Sequence, residues 1–372
     1  MIRHKQLFPV GLWAIILLSV LASCERMSQP DTNDGAIRFS ASAVHVGGAQ
    51  LKSDPEFNIG NIGDADYQIP PPSHESDLIF DGNQISVFGS WSNGTKSSDI
   101  FRGVTLTCEE TSPSTFEWTY SPLKYWRSDG AYSFGAVSPA NAILEFGTSG
   151  GKMVASYSML AHDYDLMVSS TTRAMTGSEH DTDPVNLDFH HVCCAVRFLF
   201  KKGDESANYY IDGFELQNLS AVGRLIVEGN DVQWDPAETR SSGIFQWQAT
   251  VDDNSDNRIE VPTSYISYAH ISDTDQTGQR SPTRWHFAIP QLMEGNDGSI
   301  PIVQFSINVD NDPTSIITRL ELPTEDEDSN PIRWQPNKMY IYTIQIQPSQ
   351  AYITANVIPW EKYYLAVDDI VF

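Results

Sequence analysis

The chain has 372 residues, of which 48 are acidic and 23 are Lys or Arg, so its formal net charge at neutral pH is −25. Such an excess of negative charge repels phosphate backbones and anionic lipid headgroups, which argues against nucleic-acid binding and against electrostatic docking on a membrane. The length allows two domains of ordinary size, and we interpret the acidity as a solvated surface that favours solubility.

The N-terminal 23 residues have the composition of a bacterial export signal. Positive charges precede a run of about fifteen mostly apolar residues, which is shorter than the ~20 that a membrane-spanning helix needs. The segment ends in Leu21–Cys24, which looks like a lipobox. We therefore expect cleavage between Ser23 and Cys24 and acyl chains on Cys24 that hold the protein on a membrane. An uncleaved anchor and an ordinary signal peptide are the alternatives.

The next segments are a polar tether and an alternating strand. Residues 24–36 are polar and contain Pro, Asp, Asn and Gly, which predicts a flexible lead between lipid and fold. Residues 37–44 then alternate as a half-buried strand does. One face of this strand carries Ile37, Phe39, Ala41 and Ala43. Residues 47–76 include a run of three prolines, and they are predicted to form a long connection.

Large aromatic side chains concentrate a little further along the chain. Trp118, Tyr120 and Trp126 lie on predicted strands or beside the turns that separate them. Two interpretations stay open at this point. The rings either pack in the core of a sandwich, or they form an exposed platform for a glycan or a host protein.

The middle of the chain contains a break in the strand pattern. Residues 170–184 have almost no apolar content, which predicts an interdomain linker or an exposed loop. Strict alternation resumes in residues 185–191, and short strands separated by Gly, Asn, Asp and Pro turns follow. Strong amphipathic helices are not indicated. The pattern predicts an all-β fold of two tandem antiparallel β-sandwich domains, residues 37–169 and 185–372.

Cysteine usage leaves one question open. Besides Cys24, the chain has Cys108, Cys193 and Cys194. Because neighbours on a strand point to opposite faces, the adjacent pair is expected to contribute one buried thiol and not to bond to itself. A disulfide from Cys108 to either of them is compatible with an export compartment.

No constellation of residues predicts catalysis, a cofactor or a metal. The nucleophile-elbow, zinc-protease and phosphate-loop motifs are missing from the sequence. His190 and His191 are neighbours on a predicted strand and therefore face opposite ways. Residues 251–257 offer the alternate oxygen ligands of a calcium loop, but Asn257 and Thr263 replace the glycine and glutamate that such a loop needs. We predict a protein that is not an enzyme.

Taken in order, the motifs resemble those of the fimbrillin family of Bacteroidales. They are the lipobox, the first strand, Asp165-Leu166-Met167, the V-x-L-x-F-x-H pattern of 185–191, A-V-x-F at 195–198, the tyrosine-rich strand after Asn337, and V-I-P-W at 357–360. The resemblance implies two β-sandwich domains of transthyretin-like topology, carried as a lipoprotein to the outer membrane. Members of the family are stalk, anchor and tip subunits of type V pili.

The resemblance also implies assembly by strand exchange. In stalk subunits an arginine-specific protease removes the lipidated first strand, and the emptied groove accepts a strand from the next subunit. Here the removable strand would be residues 37–44. However, the chain has no arginine between Phe39 and Phe101. Either cleavage occurs at Lys52, or the strand and its lipid are kept.

The C-terminal residues 363–372 alternate and end on an apolar side chain, so they are a candidate donor strand. The inserting side chains would be Leu365, Val367, Ile370 and Phe372. Pairing within the chain's own second domain is the alternative.

We predict a cell-surface lipoprotein that serves as a pilus subunit, accessory or anchor and supports adhesion. Its partners would be other fimbrillin-type subunits, joined by strand exchange, and the outer membrane, reached through the lipid. The competing hypothesis is a stand-alone surface lipoprotein that binds a glycan or host protein through exposed aromatic residues.

Overall fold

The computed structural model describes residues 35–43, residue 78 and most of 82–359, with the longer gaps at 177–182, 248–258 and 264–284. The described part consists of strands and loops and contains no α-helix. Within it, no helix is long and apolar enough to cross a membrane. The strands are β1 (Phe39–Ala43), β2 (Gln84–Ser92), β3 (Ser97–Ser112), β4 (Thr115–Thr119), β5 (Asp129–Ser138), β6 (Leu144–Phe146), β7 (Met153–Ser158), β8 (Met167–Thr176), β9 (Val185–His191), β10 (Cys194–Lys202), β11 (Tyr209–Gln217), β12 (Val222–Glu228), β13 (Asp231–Pro236), β14 (Ile244–Trp247), β15 (Ile259–Val261), β16 (His286–Ala288), β17 (Ile302–Val309), β18 (Ile316–Glu321), β19 (Lys338–Gln347) and β20 (Gln350–Pro359).

A seven-stranded sheet carries the N-terminal strands in the order β1-β9-β8-β5-β2-β3-β4. Its two ends approach each other, because Ile37 donates its backbone N–H to Lys124 O at 2.8 Å and Trp126 donates to Gly35 O at 3.1 Å. The residues just before β1 are thereby joined to the segment that follows β4. The sheet is curled around a first core that includes Phe39, Trp118, Trp126 and Phe134.

Three smaller sheets surround a second core. Their orders are β16-β10-β19-β20, β14-β11-β17-β18 and β13-β12-β7-β6, and β15 pairs with β11 beside the second of them. Strands β10 and β19 are parallel, and most residues of both are buried. Parallel strands covered on both faces carry continuous apolar runs, which explains why the sequence Ala-Val-Arg-Phe-Leu-Phe of β10 does not alternate.

The all-β class predicted from the sequence is confirmed, whereas transthyretin-like topology stays a prediction. Most strand pairings are antiparallel, as predicted, but β1 pairs with β9 and β10 pairs with β19 in parallel, which the prediction did not include. The alternation of β1 and β9 serves either direction of pairing, and an apolar run such as that of β10 indicates burial on both faces without fixing the direction. The long connections between these strands allow the parallel arrangement.

The predicted domain limits differ from the strand pairing in several places. Strand β8 continues to Thr176, into the predicted linker 170–184, and β9 joins the N-terminal sheet although it was assigned to the second domain. Conversely, β7, which was assigned to the first domain, pairs with β12, which was assigned to the second. Alternation in residues 185–191 buries one face of a strand equally well in either domain, so it does not reveal which sheet the strand joins. The two-domain division stays a proposal.

The cysteines also differ from expectation. Cys193 and Cys194 are both fully buried thiols in the second core, whereas Cys108 is a buried thiol in the first core. The prediction that only one of the pair is buried was wrong because β10 and the residue before it are covered on both sides. The Cys194 thiol donates to Ala288 O at 3.4 Å, and burial raises its pKa.

Candidate functional site

The first strand lies in a slot of the curled sheet, with alternate side chains inserted. Ile37 is fully buried, and Phe39 and Ala41 are each 3% exposed. Arg38 and Ser40, which alternate with them, are half-buried. The alternation predicted from the sequence is therefore present in the structure, and it gives the strand one inserted face and one outer face.

Phe39 is the largest group that enters the slot. Its ring meets the rings of Phe101, Tyr120 and Phe134 edge to face, with centroids 5.3, 6.0 and 5.6 Å away. Such pairs contribute about 0.5–1.5 kcal/mol each beyond the burial of apolar area. Phe39 is thus the anchor that fixes the position of β1 in the slot.

A glycine allows this aromatic pocket to form. Gly89 lies on β2 beneath the rings, and a Cβ atom there would stand 2.9 Å from the ring of Phe134 and 3.0 Å from that of Phe101. Real Cβ atoms essentially never come as close as 2.9 Å to another atom, so a larger residue at this position would require the Phe134 ring to shift. The pocket therefore depends on the missing side chain as much as on the rings.

Tyr120 and Lys124 hold the start of the strand through its backbone. The Tyr120 hydroxyl donates to Ile37 O at 2.6 Å and accepts the N–H of Lys124 at 3.2 Å. Lys124 O in turn accepts the N–H of Ile37. Ala36 forms an isolated antiparallel bridge with Tyr125. The last residues of the predicted tether, Gly35 and Ala36, are therefore buried and paired, and they belong to the fold.

On its other side, β1 pairs in parallel with β9. The register joins Phe39 to Val185 and Ala41 to Leu187, and the N–H of Val185 donates to Arg38 O at 2.7 Å. Ser40 adds a side-chain bond, donating its hydroxyl to Asn186 Oδ1 at 3.1 Å. In the described part of the chain, β9 is the single strand to which β1 is paired, so β1 is an edge strand.

Strand β9 is itself attached to the sheet over a short length. Its pairing with β8 joins Met167 to His191 and Val168 to His190. Next to this contact, His191 Nδ1 lies 2.7 Å from Asp165 Oδ2, with both side chains largely buried. Burial lowers the pKa of His190. The β1–β9 pair is thus fixed to the sheet at one end by a compact polar and backbone contact.

The structure brings together some of the predicted site residues and does not cover others. Ile37, Phe39 and Ala41 lie on the inserted face as predicted. Ala43 ends the strand opposite Phe189, and its side chain lies outside the described residues. Also outside them are Ser23, Cys24, Lys52, Leu365, Val367, Ile370 and Phe372.

The predicted aromatic cluster lines the slot and does not form a platform. Trp118 and Trp126 are 6% and 8% exposed and belong to the first core, against which Tyr120 packs. The interpretation as sandwich core is the correct one of the two that the sequence left open. Tyr125 and Leu123 are the exposed large side chains of this segment.

Sequence reasoning missed the partners of the first strand. Phe101 and Phe134 carry no local signal that links them to Phe39, because each is one apolar position in an ordinary strand. The parallel partner β9 was missed for the same reason.

The calcium-like residues 251–257 lie outside the described part, and among the described residues no three His, Cys, Asp or Glu side chains are grouped so as to hold a metal ion.

Comparison with known proteins gives one family match over most of the chain. Residues 75–360 match the model of a family described as fimbrillin-like. No curated protein matches the chain at a significant level.

The chain is also similar to solved structures from Bacteroides and Porphyromonas species. A candidate cell adhesion protein of Bacteroides uniformis is 14% identical, with 89% of this chain and 100% of that chain covered and a TM-score of 0.49. A fimbrial protein of Bacteroides vulgatus is 13% identical, with 77% and 95% covered and a TM-score of 0.46. The tip fimbrial protein Mfa3 of Porphyromonas gingivalis is 11% identical, with 77% and 96% covered and a TM-score of 0.36.

Proposed function

Because this chain belongs to the family described as fimbrillin-like, we propose that it is a non-enzymatic pilus component that joins other fimbrillin-type subunits by strand exchange. The observation that carries the proposal is the first strand. It is a short edge strand whose inserted face fills apolar pockets, and its backbone is held by a few named bonds.

The slot has the two properties that strand exchange needs. Strand β9 offers a row of backbone donors and acceptors along β1, which any extended segment can satisfy. The pockets of Ile37, Phe39 and Ala41 add selectivity for alternate apolar side chains. A strand that supplied a similar pattern would replace β1 with little change elsewhere in the sheet.

Emptying the slot has a high energetic cost. Removing a buried phenylalanine side chain from a core costs about 3–5 kcal/mol, and loss of β1 would also open the pockets beside Phe101 and Phe134. A subunit without its first strand would therefore be strongly driven to accept another. The proposed donor is the C-terminal segment of a second subunit, with Leu365, Val367, Ile370 and Phe372 as the candidate inserting residues.

The sequence around the strand favours an anchor or accessory role over a stalk role. Arg38 lies within the paired segment, where cleavage would not release the strand whole, and the next arginine is Arg102. We propose that in the lipid-bound form β1 stays in its slot, acylated Cys24 holds the protein in the outer membrane, and the chain joins a neighbour by donating its C-terminal segment. Only cleavage at Lys52 would release β1 and let this chain accept a donor strand.

Mass analysis of the N-terminus of the surface-exposed protein tests this role. The proposal expects a diacylated or triacylated chain that begins at Cys24 and is continuous through β1. A chain that begins shortly after Lys52, without lipid, would instead indicate a stalk subunit. A chain that begins at another residue and carries no lipid would exclude both roles. A Cys24→Ala variant, which cannot be acylated, serves as the control for membrane attachment.

A platform of exposed aromatic rings is not proposed as a second function. The burial of Trp118 and Trp126 removes the feature on which that hypothesis rested.

A further inference from the structure

A polar cleft lies far along the chain from the first strand. It has a volume of about 570 Å³ and is formed where the end of β13 and the loop after it meet the loop after β16 and the segment before β19. Its lining includes Trp234, Glu238, Arg240, Gln291, Glu294 and Arg333. Cavities of about 300–1,000 Å³ are the size that binds small molecules and short oligomers.

Arg240 fixes the loops that shape the cleft. Its Nη1 donates to Asn218 O at 2.5 Å and to Met293 O at 3.1 Å, and its Nη2 lies 3.4 Å from Leu292 O. Burial lowers the pKa of Arg240, whereas nearby Asp297 raises it. This guanidinium is therefore committed to backbone carbonyl groups. It acts as a positioning residue and does not itself offer a site for a ligand.

Gly295 and Gln291 complete the rigid floor. A Cβ atom on Gly295 would lie 2.6 Å from Arg240 Nε, so only glycine permits the loop to close over the guanidinium. Gln291 is buried, accepts the N–H of Ser220 at 2.9 Å and donates to Ser220 O at 3.0 Å. A cleft whose loops are already held in place does not have to be ordered when a ligand binds, which favours affinity.

The groups that remain available on the rim have both signs of charge. Glu238, Glu294, Asp297 and Arg333 are exposed side chains of the lining. A strongly anionic ligand would meet the three carboxylates, and a strongly cationic ligand would meet the guanidinium of Arg333. A neutral ligand with many hydroxyl groups suits both, because a hydroxyl donates to a carboxylate and accepts from an arginine.

One wall of the cleft is apolar. The ring of Trp234 is half-buried, and its Nε1 donates to Val192 O at 2.7 Å, which fixes the orientation of the indole. Pro236 and Pro290 lie in the same lining. A fixed aromatic ring beside charged hydrogen-bonding groups provides both the apolar contact and the polar contacts that a sugar ring uses.

We propose that this cleft is a binding site for a neutral oligosaccharide. Trp234 contacts the apolar face of a sugar, while Glu238, Glu294 and Arg333 bond its hydroxyl groups. The site lies away from the first strand and is independent of strand exchange, so either proposal can fail without the other.

Saturation-transfer NMR with the full mature protein tests the proposal. The probes are three neutral oligosaccharides, maltotriose, N-acetylchitotriose and lacto-N-tetraose, compared with acidic 3′-sialyllactose and a basic chitosan trimer. We expect saturation transfer to a neutral probe that exceeds transfer to both charged probes. Glu238→Gln and Arg333→Ala should each weaken binding about tenfold, as expected for loss of a hydrogen bond to a charged group.

Matched surface changes control for charge. Glu321→Gln and Arg224→Ala alter exposed residues outside the cleft and should leave binding unchanged. Because Glu238 and Arg333 are exposed, their variants should keep the thermal stability of the parent protein. Three results would overturn the proposal: no neutral probe binds, a charged probe binds better, or the cleft variants bind as well as the controls.

Discussion

The described part of the molecule contains two pairs of parallel strands, and they differ in what surrounds them. The β10–β19 pair is eight residue pairs long and lies between β16 and β20. The β1–β9 pair is five residue pairs long, and β1 lies at the edge of its sheet. Both bury aromatic side chains, so burial alone does not distinguish a permanent core from a replaceable strand. The difference lies in how many neighbours must be separated to remove the strand.

Replacing Phe198 by alanine should produce the largest loss of stability. Phe198 is fully buried on β10, with ring centroids 4.9 Å from Phe214 and 5.3 Å from Tyr342. We expect the free energy of unfolding to fall by about 3–5 kcal/mol. Denaturant titration followed by circular dichroism measures this loss, and Phe198→Leu should recover most of it. A loss below that of Phe39→Ala would remove the distinction between the two pairs.

Phe39→Ala should lower the free energy of global unfolding less than Phe198→Ala does. It should also strongly favour local detachment of β1. Because β1 can detach without separating the rest of the sheet, the cost is limited by the free energy of local opening. We expect backbone amides of β1 and β9 to exchange with solvent much faster, whereas those of β10 and β19 stay protected. Hydrogen exchange with mass spectrometry resolves the two regions. Ser40→Ala, on the outer face, removes the bond to Asn186 without emptying a pocket and should have a much smaller effect.

Tyr120→Phe should weaken the hold on the start of β1 while keeping the aromatic ring. The hydroxyl bonds both Ile37 O and the N–H of Lys124, and its loss should reduce the opening free energy of β1 by about 1–2 kcal/mol. Hydrogen exchange at the N–H of Ile37 measures the change. Tyr125→Phe, at an exposed tyrosine, should have no effect, and an equal effect of both changes would contradict the role given to Tyr120.

Lowering the pH should produce the smallest of these effects, which is a loss of stability where β9 is attached to the sheet. Burial lowers the pKa of His190 in the folded protein, so the unfolded chain binds a proton first as the pH falls below 6.5. The contribution of neutral His190 is therefore present above pH 6.5 and is lost as the pH falls towards the lower folded pKa. His190→Gln should flatten the pH dependence of stability between pH 7 and 5.5. An unchanged slope would exclude this contribution.

Local features of the chain could be predicted, and the pairing of distant segments could not. The alternation of Ile37, Phe39 and Ala41 identifies a strand with one buried face, and the structure places these residues accordingly. The bond between Ser40 and Asn186 spans 146 positions of sequence. No local pattern encodes such a pairing or its parallel direction, since the same alternation serves both.

The burial of both adjacent cysteines and the role of Arg240 could not be predicted from the sequence, for similar physical reasons. Cys193 and Cys194 are both buried because neighbouring elements cover both faces of β10, and coverage is a property of the tertiary structure. Arg240 lies in a polar stretch of the sequence, and nothing in that stretch indicates its contacts. Its role emerges only when the loops that carry Asn218 and Met293 meet around it.

Exchange of the first strand with a peptide tests the central claim most directly. A protease site introduced at Lys52 allows the purified protein to be cut, and a labelled peptide of residues 35–44 is then added and followed by native mass spectrometry. We expect the cut protein to keep its fold and to exchange its own first strand for one copy of the peptide, with a peptide carrying Phe39→Ala competing poorly. Global unfolding after cleavage, or binding that does not depend on Phe39, would contradict the account.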